Sequence, residues 1–180
     1  MRATVLATLT ACQVSTVGAP EDCFPERPTP GQVVVAQVRC SDMTLPGGEG
    51  GIGDIWFANH DMHGIFRYPK ASYSLVGIDG GGILDLALWD GGNEWLHEAV
   101  PLVSGGGLEI DRWTLLPNGL ELQGRVTAIN TRPTEAEGQS ATVTWLVAPD
   151  RPELVLQGAD GLWLHPEAGH DVLALSLIHI

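Results

Sequence analysis

The sequence predicts an all-β fold, an antiparallel β-sandwich, and three observations carry that prediction. Twenty-three glycines and twelve prolines punctuate the 180 residues, a density that favours many short elements joined by tight turns over long helices. Between these punctuation points lie brief apolar runs rich in β-branched and aromatic residues, as strands require. From residue 107 onward apolar and polar residues alternate with the period of two expected of a half-buried strand. A chain of this length forms one domain by the length prior and buries roughly 70% of the surface its unfolded form exposes.

The charge pattern narrows the partners. The chain carries 22 acidic against nine basic residues, a net charge of −13, and Lys70 is its single lysine. That distribution offers no electrostatic footprint for phosphate backbones or anionic headgroups, so nucleic acid is not an expected partner. The acids are scattered and show no D-x-D-x-D-G spacing, so the sequence predicts a solvated, self-repelling surface and no cofactor.

Taken in order, residues 1–12 (MRATVLATLTAC) combine one arginine, a short apolar run and small residues ahead of Cys12. This resembles a bacterial lipobox, with Cys12 as the lipidated residue. The run is far too short to span a bilayer, so membrane association is expected through a lipid anchor only, on an exported chain at the periplasm or cell surface. Residues 13–46 read as a linker that includes the first strand, 33–39 (VVVAQVR). Within it Cys23 and Cys40 are expected to pair in the oxidising compartment that export implies, closing a loop worth about 3 kcal/mol.

The glycine-rich stretch 46–53 (PGGEGGIG) reads as a flexible joint leading into the sandwich proper, 47–174. Strands are expected at 54–58, 63–68, 73–78 and 83–89, each bounded by turn residues. In the alternating region Leu108, Ile110 and residues 113–116 precede Pro117-Asn118-Gly119, followed by Leu120, Leu122, Val126 and Ile129. Asn-Gly between two such runs is a strong hairpin signal. After a polar loop over 130–139, further strands are expected at 141–148, 153–157 and 162–165, giving ten to twelve in all. The last six residues, LSLIHI, resemble the translation of a transposase adapter used in sequencing libraries. The natural chain is therefore expected to continue past Ala174, with 175–180 an artefact and the sandwich incomplete at its C-terminal end.

Several groups invite a chemical reading. His60 and His63 lie three apart, a spacing that suits a metal on a helix; between strands the imidazoles need not converge, and no metal site is expected. His97 with Glu94 or Glu98 could perform acid–base work on a sugar ring, although neighbours on a strand point to opposite faces. Six tryptophans, at 56, 89, 95, 113, 145 and 163, could stack on pyranose rings, yet each sits in an apolar run where burial is the usual outcome. Trp95, Trp89 and His63 are the candidate ligand-binding residues. The triplets at 80–82 and 105–107 read as turns needing positive φ, because no Gly-Lys-Ser/Thr follows them.

The order Gly53-Asp54-Ile55-Trp56-Phe57-Ala58-Asn59, then Gly64-Ile65-Phe66-Arg67, then the glycine turn with Ile83-Leu84-Asp85, then residues 94–101, resembles the N-terminal β-sandwich of secreted bacterial lipoproteins that carry a downstream PHP-type metallohydrolase domain. That sandwich is similar to the galactose-mutarotase-like, carbohydrate-binding supersandwich. The likeness covers roughly residues 47–166 and implies a non-catalytic accessory or carbohydrate-binding-like module, with the metal-binding residues in a downstream domain that this chain lacks. No His and Glu pair matches the mutarotase separation. The competing expectations are a mutarotase-like or lyase-like enzyme acting on carbohydrate, and a structural cell-envelope domain without a ligand.

Overall fold

The computed structural model describes residues 23, 25–73, 78–90, 98–129 and 132–165. The expectations at 1–12 and 175–180 lie outside the described residues. Twelve strands and one 3-10 turn are present among those described. The strands are β1 (Val34–Gln37), β2 (Ile55–Ala58), β3 (Met62–Phe66), β4 (Ser72–Tyr73), β5 (Ile78–Asp79), β6 (Ile83–Leu88), β7 (Glu98–Leu102), β8 (Gly107–Leu116), β9 (Gly119–Thr127), β10 (Ser140–Val147), β11 (Leu154–Gln157) and β12 (Gly161–His165). They form a six-stranded sheet in the order β1-β2-β3-β6-β7-β12, a four-stranded sheet in the order β11-β10-β9-β8, and the small β4-β5 pair. All pairings are antiparallel. The fold is thus the all-β, antiparallel sandwich that the punctuation and alternation predict.

The main core lies between the two larger sheets. Ile55, Phe57, Phe66 and Ile83 from one sheet meet Ile110, Leu122, Val143 and Trp145 from the other, and all are buried. Trp145 also ties the sheets together through its ring nitrogen, which donates to the Gly81 carbonyl at 2.9 Å. The Phe57 and Phe66 rings pack against each other within this layer, tilted by 31° with centroids 4.3 Å apart.

The four-stranded sheet is two-sided. Leu120, Leu122 and Val126 face the core, while Glu121, Gln123 and Arg125 face outward beside Ser140, Thr142 and Thr144 of β10. This is the alternation of a sheet with one solvated face. The six-stranded sheet differs. Trp56, Ala58, Ile65, Leu84 and Ala87 point away from the main core, yet they are buried in a second cluster with Val38 and Leu45. Residues 38–54 fold back over that face as a cover. The two ends of the cover meet, with Val38 N donating to Asp54 O at 2.7 Å and Gly53 N to Val38 O at 2.9 Å. A β-bulge where β3 meets β6 leaves Leu84 as the extra residue, which turns it toward the cover while Ile83 stays in the main core.

Four expectations are refined. Residues 46–53 are not a free joint: Glu49 N and Gly50 N donate to the two carboxylate oxygens of Asp85 at 2.9 and 2.7 Å, pinning the glycine-rich stretch to the sheet. The strand β1 belongs to the same sheet as β2, although the sequence sets it within the linker. The run 73–78 is not a single strand, because Tyr73 and Ile78 face each other as antiparallel partners. The β8-β9 hairpin lies where it is expected, but its two loop residues are Pro117 and Asn118, since Leu116 pairs with Gly119. Proline sets φ for the first loop position, and Asn118 keeps a negative φ, so the turn is not of the Asn-Gly type.

The β7-β8 connection is a two-residue turn with positive φ at both positions, 50° at Ser104 and 71° at Gly105. Asp160 accepts from Ser104 N through both carboxylate oxygens, at 2.8 and 2.9 Å, and holds the turn closed. Ser104 is the only non-glycine with positive φ among the described residues. Ser104→Gly removes the Cβ penalty of that conformation and keeps both backbone bonds. It is expected to stabilise the fold by about 0.5–1 kcal/mol, read as a rise in the urea midpoint.

Candidate functional site

The described ligand-binding candidates, His63 and Trp89, meet on the outer side of the six-stranded sheet. His63 of β3 lies opposite Ala58 of β2 and Ala87 of β6, so its ring points to the covered side. Trp89, just past β6, lies flat on it: the rings are 4.1 Å apart and 9° from parallel. The indole N–H of Trp89 donates to the Asn59 carbonyl at 2.8 Å, fixing the ring. Both residues are half-buried. Burial lowers the His63 pKa below its ordinary value, because a charged imidazole loses hydration there.

That shift has a definite consequence for stability. The unfolded chain takes up a proton on His63 near pH 6.5, while the folded chain resists it, so the unfolded state binds more protons as the pH falls. Stability contributed by neutral His63 is present above the unfolded pKa and is lost as the pH drops below it. Urea midpoints measured between pH 7.5 and 5.5 are expected to fall for the native sequence and to fall less for His63→Gln. Equal slopes for the two proteins would show that His63 does not titrate in this way.

His60 does not join His63. Its Nδ1 lies 3.1 Å from the Pro28 carbonyl, and its own carbonyl accepts from Arg27 Nε at 2.6 Å. Arg27 also reaches Asp90 with both terminal nitrogens, at 2.9 and 3.3 Å. These contacts strap the segment before β1 across the β2-β3 turn. Among the described residues, no group of three or more His, Cys, Asp or Glu side chains is arranged to hold a metal ion.

The catalytic candidates divide. Glu94, Trp95 and His97 lie outside the described residues, as does Cys12. Glu98 opens β7, is 2% exposed and sits beside Arg67, with Nε and Oε1 3.8 Å apart. Cys23 and Cys40 are joined as a disulfide with their Cα atoms 6.1 Å apart. The bond fastens the N-terminal segment to the start of the cover over the sheet.

Of the other tryptophans whose side chains are described, Trp56 and Trp145 are buried and Trp113 is half-buried against Tyr68, edge to face at 5.7 Å. None is a free platform. Sequence reasoning missed a different feature, an open groove of about 380 Å³ over β8, β9 and β10, lined by Asp111, Arg112, Gln123, Gly124, Ser140, Ala141 and Thr142. The only signal for it in the sequence is the outward-facing polar set of an alternating strand pattern.

The fold and these surfaces define an antiparallel β-sandwich with one covered and one open outer face. Comparison with protein-family models, curated proteins and solved structures yields no match.

Proposed function

We propose that this chain is a non-catalytic, carbohydrate-binding-like accessory module of an exported, lipid-anchored protein. The observation that carries the reading is the asymmetry of the sandwich. One outer face is covered by residues 38–54, while the other is open and displays hydroxyl, amide, carboxylate and guanidinium groups on a sheet backed by a close-packed core. A rigid face of alternating polar side chains presents hydrogen-bond partners at fixed spacing, which suits the hydroxyls of a sugar and loses little entropy on binding. The Cys23–Cys40 bond supports export, since such bonds persist in oxidising compartments.

The enzyme reading draws less support, because Glu98 is enclosed beside Arg67 instead of presented to solvent. Affinity electrophoresis of the purified chain through gels containing neutral polysaccharides tests the proposal. Retardation by at least one polysaccharide is expected, with no acceleration of sugar mutarotation. Absence of retardation by any of them contradicts the binding reading. Acceleration of mutarotation that disappears in His97→Ala replaces it with the enzymatic one.

A further inference from the structure

The groove over the four-stranded sheet has features that an ordinary solvated strand face lacks. Across β8 and β9 the register passes from Ile110 opposite Gly124 to Arg112 opposite Gln123, leaving Asp111 as an extra residue in a β-bulge. A bulge re-aims side chains and bends its strand, and such features recur beside binding sites. Position 124 tolerates the bulge because it is glycine: a Cβ there would collide with the Glu109 carbonyl and approach Ile110 Cα to 2.9 Å. The backbone kink shapes the depression, and Gly124, which follows the core-facing parity of Leu122 and Val126, lets β9 lie close against the bulged strand.

Its polar groups are partly held in place. Gln123 Nε2 donates to Glu121 Oε1 at 2.8 Å, and Arg125 Nε lies 3.7 Å from Asp111 Oδ2. Arg112, Gln123 and Thr142 stand side by side on three adjacent strands. They span two strand spacings of about 4.8 Å, roughly 10 Å and close to the length of a disaccharide. The set contains acceptors, donors and hydroxyls, and no aromatic ring. Recognition there would run through hydrogen bonds to hydroxyl groups. Asp111 and Arg112 balance one another within the lining, which leaves the groove without a net charge to draw a charged ligand, and the net charge of −13 carried by the whole chain disfavours an anionic one.

We propose that this groove is a binding subsite for a neutral oligosaccharide, with Asp111, Arg112, Gln123, Ser140 and Thr142 contacting its hydroxyls. The inference rests on the carbohydrate-binding reading and assigns it to the four-stranded sheet, away from His63 and Trp89.

The test is a titration of the isotopically labelled chain with neutral gluco-, manno- and galacto-tetrasaccharides, followed by amide chemical shifts. Shifts are expected at residues 111–112, 123–124 and 140–142. The affinity is expected to weaken at least tenfold in the Arg112→Ala/Gln123→Ala double variant and to be unchanged in His63→Ala. Thr142→Leu, which fills the groove from a different strand, is a second variant expected to show the same loss. Binding that both groove variants leave intact overturns the subsite and keeps the carbohydrate reading. Failure of every tetrasaccharide to bind overturns both.

Discussion

Asn59→Ala is expected to destabilise the fold by about 3–5 kcal/mol, a large share of the 5–15 kcal/mol that holds a domain of this kind together. Asn59 is completely buried, and its amide joins two parts of the chain about ninety residues apart in sequence. Its Oδ1 accepts from Asp61 N and Met62 N, both at 2.8 Å, shaping the β2-β3 turn. Its Nδ2 donates to the Ala148 and Arg151 carbonyls, at 2.6 and 2.7 Å, where β10 turns into β11. Alanine strips partners from two backbone donors and two acceptors, and leaving buried groups unpaired costs far more than the bonds contribute when made. Asn59→Asp keeps the two accepted bonds and sets a carboxylate against two carbonyls, so it is expected to be at least as damaging. Urea unfolding followed by tryptophan fluorescence measures both. A loss below about 1 kcal/mol for Asn59→Ala would mean that the two turns are not joined through this side chain.

Asp85→Ala is the second large effect, expected at about 3–4 kcal/mol by the same argument about unpaired buried groups. The Asp85 carboxylate is wholly buried and accepts from Glu49 N and Gly50 N, so its removal takes away the anchor of the cover. The steric converse is Gly50→Ala. A Cβ at position 50 would stand 2.6 Å from Asp85 Oδ2 and 2.8 Å from Ile65 Cγ1, closer than real contacts allow. The cover must lift to make room, and a loss of about 2 kcal/mol or more is expected. Both variants should also speed amide exchange across 45–53 more than across β8 and β9. Uniform acceleration over the whole chain would indicate that the cover and the sandwich unfold as one unit.

Much of this architecture is legible in the sequence. The β8-β9 hairpin declares itself through its alternation and its Pro-Asn-Gly turn, and the strands 55–58 and 83–88 through apolar runs bounded by turn residues. The non-alternating IWFA and ILDLAL also carry a sign of what the structure adds, since strands buried on both faces lose their alternation. The cover itself is not legible. PGGEGGIG has the composition of a linker, and its anchor is a carboxylate 35 residues further along, so only tertiary contact makes the stretch rigid. Asn59 and Asp85 likewise look like surface residues, because nothing local announces partners so distant in sequence. The His63–Trp89 stack depends on the register between β3 and β6, which neither strand specifies alone. The groove escapes for a related reason: the bulge at Asp111 appears only when β8 and β9 are paired and one residue is left over.

One outer sheet face is covered and the other open, and hydroxyl-radical footprinting read out by mass spectrometry tests that asymmetry directly. Trp56, 2% exposed beneath the cover, is expected to oxidise slowly in the native chain and much faster in urea, while exposed Leu115 on β8 reacts readily in both. Rapid native oxidation of Trp56, at a rate close to that in urea, would contradict the covered face. It would also remove the asymmetry from which the binding role is argued.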